Sequence, residues 1–322
     1  MTHTKDAETV CPVCSACLKD NAETIPYPDV NRVSEFGDDF KQIRFCCQCG
    51  LGVVYPDIDD QKLARYYNNG GFWVVPKPHF LFRQAVVSSL LGQSRWKSIE
   101  EALARSHINR KIRILDIGAG YGFIGLHAAR STQFELSLYT CVEPDYRMRD
   151  YLVSIWEKYS RKGSLEVKSS LEDVIEKFEV VVLSHVLEHV KDPLGMLRKA
   201  VSFLSESGVV LIDVPNRDYS FKKNVFPHLI FFDHKSLEYA VREEGLLSLE
   251  NLFGYGTDAK YSPLNKNPPL GVRLASGMLR IGQKLMPHRQ LAFLFERHYG
   301  INRINPQGTW LRAIARKLPN NV

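Results

Sequence analysis

The feature that most constrains the fold is a glycine-rich turn that directly follows a short apolar segment. Residues 112–116 read IRILD, which is typical of a buried strand, and residues 118–122 read GAGYG. Residues 123–130 then continue with helical periodicity. A strand that passes through a glycine turn into a helix is the opening unit of an α/β nucleotide-binding fold. Ligands of such folds sit at the carboxyl ends of the strands, so this turn is the predicted site.

Further strand-like segments follow along the chain. They cover residues 136–142, 164–167, 180–184 and 209–214, and segments with helical periodicity, such as residues 193–204, separate most of them. Alternating strands and helices pack as a parallel sheet with helices on both faces. The sequence therefore predicts an α/β fold with a doubly wound, mostly parallel, Rossmann-like sheet.

The spacing of the glycines narrows the choice of ligand. A dinucleotide-binding turn has a third glycine where Phe123 stands here, so an NAD-dependent oxidoreductase is not favoured. The turn made by Gly118, Gly120 and Gly122 leaves backbone N–H groups free and suits an amino-acid or nucleoside group. Glu143 follows Gly122 by 21 residues, at the end of the second predicted strand. An acid at that position can accept hydrogen bonds from both ribose hydroxyls of an adenosine ligand.

Six of the seven cysteines cluster within the first 49 residues. Two C-x-x-C pairs are present: Cys11 with Cys14, and Cys46 with Cys49, the second followed by Gly50. Each pair can form a tight turn that points two thiolates at one ion, and two such turns make a tetrahedral site that suits structural zinc. In a chain without an export signal, clustered cysteines bind metal more often than they form disulfides.

Strand-like segments flank the second cysteine pair, at residues 41–45 and 51–55, so we expect a zinc ribbon. Cys17 and Cys47 leave the choice of ligands open. The alternative is two unrelated pairs of reduced cysteines in a core. A closed site of four cysteines is structural, so the sequence assigns it no chemistry.

Taken together, the motifs in the middle of the chain resemble a known family. Residues 115–122 (LDIGAGYG) are similar to the first motif of class I S-adenosylmethionine-dependent methyltransferases. Residues 178–193 (FEVVVLSHVLEHVKDP), 208–216 and 227–237 resemble successive segments of a branch that includes ubiquinone-biosynthetic O-methyltransferases and many sugar or glycan methyltransferases. The resemblance covers about residues 112–253. A zinc-binding segment before such a domain also resembles the deoxysugar C-methyltransferases.

The resemblance implies that S-adenosylmethionine binds at the carboxyl edge of the sheet. Asp116 and the three loop glycines would hold its amino-acid end, and Glu143 would hold its ribose. The other positions implied in this way flank the adenine or the methyl-donor sulfur: Ser170, Leu171, Ser184 and His185.

The resemblance and the cysteine pairs divide the chain into four parts. We expect a zinc-ribbon-like segment over residues 1–60, a helical connector or lid over 61–110, a methyltransferase domain over 111–255 and a basic, largely helical extension over 256–322. The family usually ends with an antiparallel hairpin, of which only the first strand, at residues 246–253, is evident.

Histidine is the natural base near neutral pH for removing a proton from a methyl acceptor. His228, His185 and His234 are the candidates, and His228 is favoured slightly because it lies on the segment expected to cover the acceptor pocket. His185, Glu188 and His189 would share one face of a helix, so they could also bind a divalent cation. The alternative for His189 is a structural role at the start of that helix.

Charge is distributed unevenly along the chain. Residues 260–322 contain eleven lysine or arginine residues and a single acid, Glu296. Residues 271–287 and 309–318 place apolar and basic side chains at helical spacing, which predicts two basic amphipathic helices. Through residues 271–318 they could contact an anionic membrane or bind a phosphate-bearing acceptor. Alternatively, their apolar faces pack on the sheet or on another subunit of a homo-oligomer. Nucleic acid is not predicted as a partner, because the basic residues lack the aromatic-interleaved run of a strand-binding groove.

These patterns predict a cytoplasmic enzyme, peripheral at the inner membrane face if the basic helices bind lipid, because the sequence shows no secretory signal and no long apolar segment. The leading hypothesis is O-methylation of a saccharide, either a nucleotide-linked sugar or a glycan. Methylation of a sugar carbon is less favoured, because no Tyr/His pair that would form a carbanion is evident. A quinone or polyketide methyltransferase and a non-catalytic scaffold with this fold are the remaining alternatives.

Overall fold

The N-terminal part of the chain forms a small antiparallel sheet. The computed structural model describes residues 10–16, 18, 23–28, 36, 39–68, 78–106, 108–160, 162–282 and 285–319. Strands β1 (Thr24–Pro26), β2 (Gln42–Phe45) and β3 (Gly52–Tyr55) pair in that order. Two helices follow: α1 (Asp60–Asn68) and the long α2 (Pro78–Ala104).

A seven-stranded sheet forms the centre of the protein. The strands that follow are, in chain order, β4 (Lys111–Ile117), β5 (Glu135–Val142), β6 (Ser164–Lys168), β7 (Phe178–Ser184), β8 (Leu204–Pro215), β9 (Ile230–Phe231), β10 (Leu247–Asp258) and β11 (Gly308–Lys317). The order in the large sheet is β6-β5-β4-β7-β8-β11-β10, whereas β9 joins the small sheet beside β3. The strands from β4 to β8 run parallel, and β11 is antiparallel to both of its neighbours. The predicted α/β fold with a mostly parallel, doubly wound sheet is confirmed.

Helices cover both faces of the large sheet. After α2 they are α3 (Phe123–Ala128), α4 (Tyr146–Tyr159), α5 (Pro193–Ser202), α6 (His234–Glu244), α7 (Leu270–Gly282) and α8 (His288–Tyr299). Alternating side chains of the strands separate two apolar cores. Ile112 and Ile114 of β4 pack in the core that α2, α3 and α4 cover. Leu115 and Ile117 pack in the core that α5, α6 and the small sheet cover, so the small sheet shares its core with the body.

Residues 309–318, predicted as a helix, form strand β11 instead. Most of β11 is buried between β8 and β10. The arginines that suggested a polar helix face are paired, Arg312 with Asp213 and Arg316 with Glu250. A strand that is buried on both faces shows no alternation, which is why its pattern misleads. β11 completes the C-terminal hairpin, so the sheet takes a strand from the region 256–322, which also contains the helices α7 and α8.

One buried carboxylate joins the elements around the end of β8. Oδ2 of Asp213, which is fully buried, accepts hydrogen bonds from Arg95 Nε (2.5 Å), Arg312 Nη2 (3.2 Å) and the Tyr255 hydroxyl (2.7 Å). Burial opposes ionisation of Asp213, but Arg312 and Arg95 outweigh it and lower the pKa of the carboxyl. The contacts join α2, β8, β10 and β11, which are distant in sequence.

We expect Asp213→Ala to be strongly destabilising, because it leaves two buried guanidinium groups without their carboxylate. Breaking a buried ion pair from one side costs about 3–5 kcal/mol of unfolding free energy. The exposed pair of Glu238 with Arg242 provides the control, and Glu238→Ala should cost less than about 1 kcal/mol. Urea denaturation measures both, and equal small losses would contradict this role for Asp213.

Candidate active site

The predicted glycine turn adopts a backbone conformation that requires glycine. Gly118, Gly120 and Gly122 all have positive φ, at 68°, 54° and 66°. A Cβ on Gly118 would lie 2.9 Å from Cγ2 of Val186, so a side chain there is excluded by space as well. The turn links the carboxyl end of β4 to α3, which begins at Phe123.

Glu143 contacts this turn from the end of β5. Its Oε2 accepts a hydrogen bond from the amide of Gly120 at 3.2 Å, and its Oε1 accepts one from the amide of Asp145 at 3.1 Å. The side chain is almost completely buried, and burial raises the pKa of its carboxyl. The acid predicted for the second strand therefore lies directly beside the glycine turn.

Two cavities adjoin each other at Gly118. The first has a volume of about 290 Å³ and the second about 380 Å³, and both are lined by Gly118, His185 and His189. The predicted site residues are divided between them. The first cavity is lined by Asp116, Gly118, Gly120, Gly122, Ser184, His185 and His228. The second is lined by Gly118, Glu143, Ser170, Leu171 and His185.

Two residues that line the first cavity each carry a buried polar atom, one a hydrogen-bond acceptor and the other a donor. Oδ1 of Asp116 and Nη2 of Arg95 have no hydrogen-bond partner among the described residues. The other carboxylate oxygen of Asp116 accepts from the Tyr139 hydroxyl at 2.5 Å, and burial raises the pKa of Asp116 to about 7. The unpaired acceptor of Asp116 fits the ammonium of an amino-acid group, and the unpaired donor of Arg95 fits its carboxylate.

His185 and Glu188 form a pair at the end of β7. His185 has a positive φ of 56°, and its amide donates to the carbonyl of Asp213 at 2.7 Å. Its Nδ1 lies 2.8 Å from Oε1 of Glu188, which is buried. Burial opposes ionisation of Glu188, but His185 outweighs it and lowers the pKa of the carboxyl. The expected helix is absent here: a single 3-10 turn covers Leu187–His189.

His189 belongs to a second polar pair. Its Nδ1 lies 3.0 Å from the hydroxyl of Tyr67 in α1. Burial lowers the pKa of His189 to about 3, so its ring is neutral at physiological pH. The structure thus contains a Tyr–His pair that the sequence analysis did not anticipate, because 122 positions separate the two residues.

His228 is paired with a buried aspartate. Nδ1 of His228 lies 3.0 Å from Oδ2 of Asp218, and Nζ of Lys222 lies 2.9 Å from the same oxygen. Burial opposes ionisation of Asp218, but Lys222 and His228 outweigh it and hold the pKa of the carboxyl well below its usual range. The contact lies within ion-pair distance, but its angle is not that of a hydrogen bond. Its effect is electrostatic: an ionised carboxylate beside Nδ1 favours the tautomer that carries the proton there and leaves Nε2 as the acceptor.

The third predicted base, His234, is placed differently. It begins α6, and its Nε2 lies beside Gly254 of β10. Among the described residues, those lining the two cavities do not include it. The ligand atoms of Glu188, His189 and His228, by contrast, lie within 4.8 Å of one another, so this set could hold a divalent cation or pass a proton.

The sequence analysis missed the residues that reach the site from other elements. Arg95 lies on α2, which was interpreted only as a connector, and Tyr67 lies on α1. Asp218 and Lys222 precede the segment that was singled out for its histidines. The only local signal was the i, i+4 spacing of this aspartate and lysine, which is common on any protein surface.

The cysteine pairs form two turns with the same hydrogen bonds. The amide four residues after the first cysteine donates to its carbonyl, Ser15 to Cys11 and Gly50 to Cys46, both at 2.9 Å. Ser15 and Gly50 both have positive φ, at 58° and 81°. The first cysteine of each turn also donates its own amide to the carbonyl five residues later.

The four predicted ligands converge on one point. Sγ atoms of Cys11 and Cys49 are 3.5 Å apart, those of Cys14 and Cys46 are 3.4 Å apart, and all four lie within 4.8 Å of one another. Tetrahedral zinc with bonds of about 2.3 Å separates its sulfurs by about 3.8 Å, so the cluster fits zinc. Cys47 is exposed and outside the cluster, and Cys17 lies outside the described residues.

Comparison with known proteins identifies the family. The model of a methyltransferase domain matches residues 91–251, which is half of the chain. The chain belongs to this methyltransferase family. It is an S-adenosylmethionine-dependent methyltransferase, so the prediction of an enzyme and not a scaffold is confirmed.

The methyltransferase is similar to ubiquinone biosynthesis O-methyltransferases. It is 25% identical over 172 residues to that of Actinobacillus pleuropneumoniae serotype 5b, and the match covers 50% of this chain and 67% of the relative. It is 24% identical to that of Haemophilus ducreyi, with 50% and 66% covered.

The chain is also similar to solved methyltransferase structures, at low sequence identity. The plantazolicin methyltransferase BamL shares 14% identity at a TM-score of 0.48, covering 79% of this chain and 94% of that one. Coclaurine N-methyltransferase shares 15% identity at a TM-score of 0.44, covering 80% of this chain and 93% of that one.

Among the described residues of the methyltransferase, no helix has the length and apolar character needed to cross a bilayer.

We expect the affinity for S-adenosylhomocysteine to rise with pH through the pKa of Asp116, about 7. If the cationic ammonium of the ligand binds the ionised Asp116, binding below that pKa must release a proton. The affinity at pH 6 should be about tenfold lower than at pH 8. Calorimetry over this range tests it, with Asp116→Asn as the variant that loses the dependence. Binding by the wild type that does not vary with pH would contradict this role for Asp116.

We expect Cys49→Ser to abolish zinc binding and Cys47→Ser to leave it intact. The two cysteines are neighbours in sequence, but only Cys49 lies in the four-sulfur cluster. Metal analysis of the purified variants measures the zinc content per chain. Full zinc in Cys49→Ser, or its loss in Cys47→Ser, would show that the ligand set is wrong.

Proposed function

We propose that S-adenosylmethionine spans the two cavities across Gly118. Asp116 Oδ1 and Arg95 Nη2 would hold its ammonium and carboxylate in the first cavity, beside the amides of the glycine turn. Glu143, Ser170 and Leu171 would hold the adenosine in the second. His185 and Ser184 would then lie near the sulfur, since His185 lines both cavities.

The acceptor would bind in the first cavity, against the Asp218–His228 pair. The bound cofactor supplies a methyl group that its sulfonium already activates. Nε2 of His228 would accept the proton of an acceptor hydroxyl as its oxygen forms a bond to the methyl carbon and the carbon–sulfur bond breaks. The products are a methyl ether, S-adenosylhomocysteine and the imidazolium, which the ionised Asp218 stabilises. His189 is less suited to this task, because its pKa of about 3 makes it a weak base.

The polar side chains of the first cavity support a saccharide as the acceptor. Besides the glycine turn, they include Glu188, His189, Lys222 and His228, and the lining also contains the apolar Leu91, Phe123 and Ile124. The polar side chains could bind several hydroxyl groups at once, and the cationic Lys222 could contact the phosphate of a nucleotide-linked sugar. The apolar residues could contact the carbon face of the same ring.

Two alternative acceptors keep some support. The curated relatives are named as ubiquinone O-methyltransferases, which favours a phenolic hydroxyl. The pair of Tyr67 and His189 favours transfer to a sugar carbon beside a carbonyl, where one group removes the carbon-bound proton and another stabilises the enolate. A panel of nucleotide-linked sugars, their 4-keto deoxy forms and catechols separates the three, with S-adenosylhomocysteine release as the signal.

We expect His228→Asn to lower kcat by about 100-fold or more while leaving the affinity for S-adenosylhomocysteine within twofold. The observation that carries this prediction is the Asp218–His228 pair on the wall of the cavity formed by the glycine turn. His234→Asn is the control, because His234 lies outside the lining and should keep its rate. A full rate in His228→Asn on every accepted substrate would exclude His228 as the base.

We also propose that α7 contacts an anionic membrane surface. This limits the contact to α7, whereas the sequence pattern suggested all of residues 271–318. Leu270, Leu274, Met278 and Ile281 are 60–73% exposed and fall within an arc of roughly 80° around the helix. The exposed arginines of α7 lie to one side of that arc, and the only acid from residue 260 onward is Glu296. Exposed apolar side chains flanked by cations suit anionic lipid better than a second, equally basic copy.

We expect the double variant Leu274→Glu/Met278→Glu to lose binding to vesicles that contain phosphatidylglycerol. The change places two anions in the apolar arc facing the lipid. Ile175→Glu is the matched control, since Ile175 is an exposed apolar residue on another part of the surface. Co-sedimentation measures the bound fraction. Equal sedimentation of wild type with neutral phosphatidylcholine vesicles, or none with either, would count against the proposal.

A further inference from the structure

The Asp218–His228 pair lies on a segment that passes between the zinc ribbon and the body. We call residues 216–231 the strap; it runs from the end of β8 through β9, just before α6, and carries both Asp218 and His228. It is fixed to the body where the amide of Leu229 donates to the carbonyl of Glu188 at 2.7 Å. The position of His228 therefore depends on what holds the other side of the strap.

Hydrogen bonds from the zinc ribbon hold that other side. The hydroxyl of Tyr27, which is buried, donates to the carbonyl of His228 itself at 3.0 Å. The amide of Val54 in β3 donates to the carbonyl of Leu229, the next residue, at 2.9 Å. Strand β3 then continues in register with β9.

Aromatic packing fixes the strap at a second point. Phe226, two residues before His228, lies among Phe36, Phe40 and Tyr66, with ring centroids 5.3, 4.9 and 5.3 Å away. Phe36 and Phe40 lie between the two cysteine pairs in the sequence. Contacts before and at His228 thus come from the segment between the two cysteine pairs, and the contact after it comes from β3, which follows the second pair.

A zinc ion held by the cysteine cluster would fix where this segment lies. The strands β1, β2 and β3 have only three or four residues each, too few for a stable independent sheet. Bound zinc would connect the turn before β1 to the turn between β2 and β3, which brings Tyr27 and β3 into one unit. Without the metal, the four thiols no longer impose that geometry.

We propose that the zinc ribbon is a positioning element for the Asp218–His228 pair. Zinc would control methyl transfer through the strap, without contact between the metal and either the cofactor or the acceptor. The inference rests on the proposed function in that it takes His228 as the base. The sequence alone assigned the cysteine site no part in the chemistry, because nothing in it showed that the ribbon touches the strap.

The test removes one contact at a time and measures the strap directly. Tyr27→Phe deletes the hydrogen bond to His228, and Tyr55→Phe deletes a hydroxyl elsewhere in the ribbon, where the ring lies against Arg44. Hydrogen exchange of the amides in residues 225–231 should be about fivefold faster in Tyr27→Phe and unchanged in Tyr55→Phe. Removal of zinc from the full-length wild-type protein should accelerate the same amides further.

A spectroscopic measurement separates positioning from general loosening. The ring ¹⁵N shifts of His228, assigned with His228→Asn, should report the Nδ1–H tautomer in the wild type and in Tyr55→Phe. They should report a mixture in Tyr27→Phe and after zinc removal. Calorimetry with S-adenosylhomocysteine should give the same affinity in all of these forms, because the residues proposed to hold the cofactor, among them Asp116, Arg95 and Glu143, lie on the body and not on the strap.

The outcomes distinguish this inference from the proposed function. Strap exchange and ring shifts that do not change in Tyr27→Phe and after zinc removal would overturn the positioning role. A full methyl-transfer rate in His228→Asn would instead overturn the choice of base, and with it the consequence for catalysis. Loss of S-adenosylhomocysteine binding on zinc removal would also contradict the inference, since it would show that the ribbon supports the whole fold and not the strap.

Discussion

The buried charge of Asp213 is the interaction on which the arrangement of the site depends. Its carboxylate draws Arg95 from α2 and Arg312 from β11 to a single oxygen, and its backbone carbonyl accepts the amide of His185. The first contact places α2 along the cavity, and the second holds the late strand β11 in the sheet. Arg95 lines the same cavity as Asp116, and its Nη2 has no partner among the described residues.

The strap carries the complementary half of the site. Asp213 organises the side of the cavity formed by the sheet, whereas Asp218 and His228 approach on a segment that has little regular structure of its own. Such a segment needs support from outside, and the contacts of Tyr27 and Val54 supply it. We therefore propose that the N-terminal sheet and its cysteine cluster form part of the active-site architecture.

The sequence predicted what depends on local pattern. The glycine turn, the five parallel strands, Glu143 and the four clustered cysteines all follow from short-range spacing, and they lie as expected. Contacts between distant segments were out of reach. Arg95 and Tyr67 look like ordinary helix residues, and β11 looks like a basic helix until Asp213 and Glu250 are known to pair with its arginines. Burial on both faces also removed the alternation that marks a strand.

We propose that the cavity beside the glycine turn binds the cofactor, and calorimetric titration with S-adenosylhomocysteine measures whether it does. The zinc-loaded wild type and Gly120→Arg should be compared at pH 8, where Asp116 is ionised. Gly120 has a φ of 54° and lines the cavity, so an arginine there both strains the turn and occupies the space. We expect saturable binding with a stoichiometry of about one in the wild type, and no binding in the folded variant. No binding by the folded wild type, or equal binding by the variant, would contradict it.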